Sequence, residues 1–258
     1  MSDTILHELV ALTRHLGEPE RRYVILGEGN TSARIDAERY WVKSSGFPMH
    51  EITADGFTQV YIRPVLEIIT GPDLDDAAIR AALAAAKVDP AGRHPSIETL
   101  VHALALDLCG ATFVGHTHAE AVNAILCSAG AREALAGHID AESALYLGAH
   151  PLIVPYADPG VALARAVRAE LVRHLDAHGA PPRVIYLLNH GLFTLGASAA
   201  EVKNIMAIAA KAATILRGTY AFGGPAFLSP TEVDRICTRP DEAARRRAAN
   251  AGTQPDPP

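Results

Sequence analysis

His116-Thr117-His118 and, further along, Asn189-His190-Gly191 are the residues of this chain best suited to chemistry. Side chains alternate across an extended strand, so a His-x-His pair presents two imidazoles on one face. A third imidazole, on a turn after another strand, would complete a three-nitrogen site for a divalent ion. Glu98, upstream at the start of a helix, adds a carboxylate. Three histidines and one carboxylate, with a position left open for substrate, describe a catalytic metal site rather than a closed structural one. Neutral imidazoles suit zinc, manganese, iron and cobalt alike, so the ligand types do not choose the metal. A Glu in a first helical turn also complements the helix dipole, and that plainer role stays open for Glu98.

Two loops carry a weaker signal. Gly27-Glu28-Gly29-Asn30-Thr31-Ser32 lacks the Gly-Lys-Ser/Thr of a P-loop and the third Gly of a dinucleotide fingerprint. It reads either as a tight turn or as a cradle of N–H, Asn, Thr and Ser donors for a phosphate or a hydroxyl-rich substrate. Ser44-Ser45-Gly46 has the same two readings. Ser96, two residues before Glu98, joins it in an anion-ready helix start.

The elements that must hold these groups alternate between strand and helix, an α/β pattern. Residues 4–16 read as an amphipathic helix with Gly17 at C′. A short apolar run, Tyr23–Leu26, precedes the Gly27 loop. Ala33–Ile35 and Tyr40–Val42 read as a strand pair, and Val60–Ile62 and Val65–Ile69 as further strands. Asp73 to Lys87 is Ala-rich and helical, with Asp73 as cap. Pro95-Ser96 opens another helix, with Ser96 at the N-cap. Thr112–Val114 is a strand leading into the His pair, Ala119–Ser128 a helix and Leu152–Val154 a short strand. Asp158-Pro159 caps a helix that ends at Gly179. Val184–Leu188 is an unbroken apolar run of the kind found in a central, doubly covered strand. Ser198-x-x-Glu201 is a capping box ahead of a helix reaching about Tyr220. No repeat or linker divides the chain. Residues 1–236 form one domain on this reading, and 237–258 a polar, frayed tail.

The 258 residues suit a single α/β domain, and 49% apolar against 20% charged residues allows a sizeable core. The net charge of −6, without a basic stripe, argues against nucleic acid and anionic membrane as partners. Three cysteines, far apart and without CxxC spacing, read as reduced thiols in a cytoplasmic protein. The N-terminus has neither a basic n-region nor an apolar h-region, and no stretch approaches a membrane span.

Taken in order, Gly29-Asn30-x-Ser32, Ser45-Gly46, Ser96-x-Glu98, His116-x-His118 and Asn189-His190-Gly191 resemble the class II aldolase/adducin family over roughly residues 4–235. Val42-Lys43-Ser44-Ser45-Gly46, His94-Pro95-Ser96-Ile97-Glu98-Thr99 and Leu188-Asn189-His190-Gly191-Leu192-Phe193 are most similar to the aldolase part of bifunctional rhamnulose-phosphate aldolase/dehydrogenase proteins. The dehydrogenase part has no room in this length. The resemblance implies a three-layer α/β/α fold with a central, mostly antiparallel sheet. It implies a homotetramer with active sites at subunit interfaces. It makes His116, His118 and His190 ligands of one divalent ion per subunit, zinc first. Glu98 becomes the acid/base and a ligand when substrate is absent. Gly29, Asn30, Ser45, Gly46 and Ser96 would line a phosphate site. The implied reaction is cleavage of a ketose 1-phosphate to dihydroxyacetone phosphate and an aldehyde; dehydration, decarboxylation and epimerisation are alternatives at the same site. The non-enzymatic adducin-like alternative fits poorly, because those relatives lack intact ligands. Fuculose-type aldolases carry two serines before the Glu, where this chain has Ser96 and Ile97. No aromatic proton donor aligns, and Tyr146 and Tyr220 are candidates by neighbourhood. His138-Ile139-Asp140 only partly matches the epimerases' His-Ala-Asp.

Overall fold

A computed structural model describes residues 2–250 of the chain. Its strands are β1 (Asn30–Arg34), β2 (Arg39–Lys43), β3 (Phe57–Tyr61), β4 (Phe113–Thr117), β5 (Leu152–Val154), β6 (Val184–Leu187) and β7 (Gly191–Gly196). Among the described residues they form one sheet in the order β3-β2-β1-β4-β7-β6-β5. Every pairing is antiparallel except β5 with β6. Helices cover both faces, as the three-layer expectation required. On one face lie α2 (Ile62–Thr70), α3 (Asp76–Ala85), α4 (Thr99–Leu108) and α8 (Val161–His178). The other carries α1 (Ser2–Gly17), α5 (Glu120–Leu126), α6 (Ala131–Leu135), α7 (Ala141–Leu147) and α9 (Ala199–Thr219).

Strand alternation divides the apolar residues between two cores. Ile185 and Leu187 of β6 enter the α4 side, while Val184 and Tyr186 enter the α9 side. That is why β6 reads as continuously apolar. It is doubly covered as expected, but it lies one strand from the edge; β4 holds the centre. Helix α4 is buried from Thr99 to Leu106, wedged between the sheet and its helical neighbours. A helix apolar all round has no solvent face and little freedom to shift. It makes a rigid base for Glu98, which immediately precedes it.

Several local expectations are corrected. Val65–Ile69 belongs to α2, with Ile62, Val65, Ile68 and Ile69 on its buried face; this spacing is helical, not alternating. Asp75, not Asp73, caps α3 by accepting from the Ala78 N–H at 2.8 Å, and Asp73 pairs with Arg165 of α8. Gly17 is the last residue of α1 without a left-handed φ; a Cβ there would lie 2.4 Å from the His50 nitrogen, so close packing requires the glycine. Gly160 occupies the N-cap of α8 in place of Asp158. Ser198 caps α9, but Glu201 reaches back to the Ala197 N–H at 2.9 Å, so the capping box is only half closed.

From Cys237 the chain is polar yet ordered into helix as far as Asn250. Helix α10 (Pro230–Thr238) leads to α11 (Pro240–Asn250), which packs on α7 and α9. Arg246 donates to the Leu145 carbonyl at 3.1 Å, and Ser198 and Asn204 bond to Asn250. The last part of the expected tail lies outside the described residues. Among the described residues no helix is long and apolar enough to cross a membrane.

Candidate metal centre

The register of the central strands assembles the site. In β4, His116 pairs with Asn30 of β1 on one side and with Phe193 of β7 on the other. Directly paired residues share a face of the sheet, so the three side chains stand together under α4. The His116 ring stacks on Phe193 with centroids 4.2 Å apart, and His116 is fully buried. Its Nδ1 donates to the Leu192 carbonyl at 3.0 Å, which leaves the Nε2 lone pair free to face inward. His118 stands just beyond the strand, where its main-chain N–H is held by the Tyr23 carbonyl at 3.0 Å.

His190 arrives on the tight turn between β6 and β7. Asn189 takes a left-handed φ of 58°, a conformation Asn tolerates better than most residues. The turn is pinned by Asn123 Nδ2, which donates to the His190 carbonyl at 2.9 Å. Gly191 is required next: a Cβ would lie 2.5 Å from the Thr117 oxygen and 2.8 Å from the His118 ring. The smallest residue therefore lets the two ligand-bearing segments close on each other.

Glu98 completes the cluster from the start of α4. It sits in the N-cap position in helical geometry; Ser96, expected there, instead accepts the Glu98 N–H at 3.3 Å. Glu98 Oε1 lies 3.0 Å from His190 Nε2 and 3.2 Å from His116 Nε2, and His118 Nε2 is 3.1 Å from His116 Nε2. One donor atom from each of the four residues falls within 4.8 Å of all the others. Ligands about 2.0–2.2 Å from a common ion in a tetrahedron stand about 3.3–3.6 Å apart. These three contacts fall just below that and the remaining pairs lie within 4.8 Å, as for groups converged on one point. His190 Nδ1 is buried without a hydrogen-bond partner among the described residues, and so does not fix its ring. The donor set and spacing fit a divalent ion.

Electrostatics favour a charged carboxylate beside a neutral His118. Burial, then the nearby His116 and His190, push His118 down to about 3. Burial works against charge on Glu98, but His116 and His190 outweigh it and hold the carboxyl well below its usual range. His102, on α4 behind the site, is pushed down to about 3, chiefly by burial. A histidine whose folded pKa is depressed takes up a proton more readily when unfolded. Its stabilising contribution is present above the unfolded value near 6.5 and is lost as pH falls from there towards 3. Chelator-treated protein is therefore expected to lose stability below neutrality, by up to about 1.4 kcal/mol per pH unit for His102 alone. Urea midpoints at pH 7.5, 6.5 and 5.5 read this, and a flat series would refute it.

A model of the class II aldolase and adducin N-terminal domain matches residues 7–216. The chain belongs to this family. A Bacillus subtilis protein described as the uncharacterized oxidoreductase YuxG is 27% identical over 199 residues, covering 74% of this chain and 26% of that protein. The chain thus spans about a quarter of that relative's length. A class II aldolase domain of a conserved protein from Thermoplasma acidophilum superposes with a TM-score of 0.62 at 26% identity, covering 81% of this chain and 92% of that one. YgbL from Klebsiella pneumoniae, described as a putative aldolase/epimerase/decarboxylase, gives a TM-score of 0.69 at 18% identity over 92% and 99% of the two chains. The fuculose-1-phosphate aldolase of Thermus thermophilus gives 0.60 at 18% over 88% and 100%. At 18% identity these last two share the fold. Class II aldolases are metal-dependent lyases and related enzymes, and the Glu98–histidine cluster is where this member can hold its ion.

The residues expected around a phosphate are brought together only in part. Ser44 bridges to Pro95, Ser45 N–H donates to the His94 carbonyl, and Ser96 N–H to that of Lys43, so these two loops meet beside Asn30. Ser45 and Gly46 are exposed, Gly46 with a φ of 86°. Gly29 serves packing: a Cβ there would lie 2.8 Å from the His116 carbonyl oxygen. Asn30 turns its amide to Glu98 Oε2 at 2.6 Å rather than to open space. Tyr146 lies on α7 near Arg245, and Tyr220 is 61% exposed past α9. Asp140 caps α7 by accepting from the Ser143 N–H, a structural role for the His138-Ile139-Asp140 segment.

Two residues were missed, and within the Ser44-Ser45-Gly46 loop it is Ser44 that is fully buried, its hydroxyl without a hydrogen-bond partner among the described residues. Lys43 is 2% exposed, and its ammonium meets the Ser44 carbonyl at 3.4 Å. Burial pushes it down to about 8, against the pull of Glu98. A lysine ending a strand beside a Ser-Ser-Gly loop was its only signal. His102 was hidden in an apolar helix.

Proposed function

We propose that this protein is a divalent-metal-dependent aldehyde-lyase. It would split a short ketose 1-phosphate, of which rhamnulose 1-phosphate is one candidate, into dihydroxyacetone phosphate and an aldehyde. The observation that carries this is the position of Glu98 Oε1, 3.0 and 3.2 Å from two imidazole nitrogens in a cluster able to hold an ion. His116, His118 and His190 would hold that ion, one per subunit and zinc by preference, with Glu98 as a further ligand before substrate binds. A bound divalent ion supplies Lewis acidity at the substrate's carbonyl and hydroxyl oxygens and so stabilises the enediolate left by cleavage.

Cleavage breaks the C3–C4 bond. The C4 hydroxyl gives up its proton and becomes the aldehyde carbonyl, the bonding pair stays on the three-carbon half, and a proton returns to C3. Glu98 is the base and acid for these transfers. Exclusion of water on substrate binding would raise its pKa towards the working range. Phe193 and α4 close the inner side of the site.

Lys43, Ser44, Ser45, Gly46, Asn30, Gly29 and Ser96 would surround the phosphate. Lys43 matters most among them, since a buried ammonium beside a single carbonyl is stabilised by an arriving anion. Lys43→Met is expected to raise KM for a phosphorylated ketose by about 10- to 100-fold, equivalent to about 1.4–2.8 kcal/mol, with a smaller change in kcat. Equal losses on phosphorylated and unphosphorylated ketoses would remove the phosphate from the reading.

The decisive assay is metal analysis of the purified protein followed by coupled detection of dihydroxyacetone phosphate across a panel of ketose 1-phosphates. Triose release dependent on the metal supports the lyase. Loss of water, loss of carbon dioxide or inversion at a carbon would move the same site to dehydratase, decarboxylase or epimerase chemistry. The working protein would be a cytoplasmic homotetramer with active sites at its interfaces. The exposed Tyr220, Phe222 and Phe227 past α9 offer apolar surface for such contacts.

A further inference from the structure

We propose that His102 is a positioning residue for Glu98: with Ser32 behind it, His102 locks the Asn30 amide in the orientation that donates to Glu98 Oε2 and aims Oε1 at the three imidazoles. The inference rests on the cluster being the metal site, and it names a residue that touches neither ion nor substrate.

Three contacts form an unbroken chain. Ser32 Oγ lies 2.7 Å from His102 Nδ1, His102 Nε2 bonds to Asn30 Oδ1, and Asn30 Nδ2 donates to Glu98 Oε2 at 2.6 Å. His102 and Ser32 are fully buried and Asn30 is 3% exposed. Donor and acceptor roles follow from Glu98 outward. An ionised carboxylate only accepts, so Asn30 must present its NH₂ group. The Asn30 oxygen is then left to face His102 and needs a donor, which makes His102 Nε2 the protonated nitrogen. Nδ1 is the remaining lone pair, and it accepts from the Ser32 hydroxyl. A neutral Nε2–H imidazole satisfies every member, whereas an imidazolium would stand between two neutral partners without a counter-charge.

The geometry supports one direction of influence. Asn30 is symmetric enough in shape to sit either way round, and a flipped amide would point its oxygen at a carboxylate. Glu98 Oε2 and Ser96 Oγ receive the Asn30 NH₂ group on one side, and the donor from His102 holds its oxygen on the other, so His102 secures the choice from behind the site. His102 is one helical turn after Glu98 on α4, with its main-chain N–H on the Glu98 carbonyl at 3.2 Å, so both ends of the device ride on one buried helix. The Phe193 ring separates His102 edge-on from the cluster, with centroids 5.2 Å apart. An amide in the middle of the chain does not conduct protons. The network therefore sets positions and does not relay charge.

The test has two readouts. In metal-free wild-type protein, long-range ¹H–¹⁵N spectra of the histidine rings are expected to show His102 as the neutral Nε2–H tautomer. The Nδ1–H tautomer or an imidazolium at pH 7 would overturn the proposal whether or not the protein binds metal. The second readout is Co²⁺ affinity and the visible d–d spectrum of the cobalt-loaded protein. His102→Leu is expected to weaken Co²⁺ binding about 10- to 100-fold, as removal of outer-shell partners does, and to shift the spectrum. His102→Gln can still offer a side-chain N–H towards Asn30 and is expected to restore most of both. His102→Asn places its amide nearer Ser32 and is expected to fail. Wild-type affinity and spectrum in His102→Leu, or equal behaviour of the Gln and Asn variants, would overturn it. Absence of Co²⁺ binding by wild type would instead refute the metal reading, with the tautomer result still standing on its own.

Discussion

His116→Ala is expected to strip the protein of metal and abolish triose release. Among the three histidines this one has the most structure behind it. It is fully buried, stacked on Phe193, anchored through Nδ1 to the Leu192 carbonyl and within 3.2 Å of both Glu98 Oε1 and His118 Nε2. Removal of an outer-shell partner alone typically costs 10- to 100-fold in metal affinity, so loss of a direct ligand should cost at least about 100-fold. Removing a buried ring also leaves a cavity against Phe193, which destabilises the fold on its own account. His190→Ala provides the control, since His190 sits at the rim of the site on a turn and leaves the strands intact. Both variants should lose metal, measured by elemental analysis after gel filtration, and only His116→Ala should melt appreciably earlier. Stoichiometric metal in either variant would break the assignment of the cluster.

Much of this site was legible because strand periodicity is simple. His116 and His118 two residues apart, and a third His straight after an apolar run, could be read as convergent without knowing the sheet order. Glu98 was legible as a residue at a helix start, although the helix begins two residues later than a cap at Ser96 implies. What could not be read depends on contacts across the sheet. Asn30 was legible as a polar residue in a Gly-rich loop, but its place opposite His116, with its amide on the Glu98 carboxylate, depends on the β1–β4 register. Lys43 looked like an ordinary strand-end lysine until the meeting of the Ser44 and Pro95 loops buried it. His102 lies among Leu100, Val101, Ala103 and Leu104, where a polar residue in an apolar helix gives no clue to its partner. The fold shows the same division. The strands at Tyr40–Val42 and in the unbroken apolar run Val184–Leu188 are where β2 and β6 lie, and Ala33–Ile35 marks only the end of β1, while Val65–Ile69 is helix because a short apolar run supports either period. Sheet order, and with it the central place of β4, has no local signature.

Glu98→Gln separates the two roles proposed for this residue. Gln has nearly the same shape as Glu, and its carbonyl oxygen can still accept from Asn30 Nδ2. The amide nitrogen would then face His116 and His190, where the wild-type Oε1 sits. With three imidazoles intact, metal should be retained with an affinity lowered by no more than about 100-fold. Turnover is expected to fall far more, by about 10²- to 10⁴-fold, because no group remains at that point to take and return a proton. The carboxylate limb of the pH–rate profile should vanish with it. A carboxyl held low by His116 and His190 in the free protein is a poor base near neutrality, so the wild-type kcat limb should lie above the kcat/KM limb. Near-normal turnover in Glu98→Gln would exclude Glu98 as the acid/base. Loss of metal together with activity would make it chiefly a ligand, and the proton carrier would then have to come from elsewhere in the assembly.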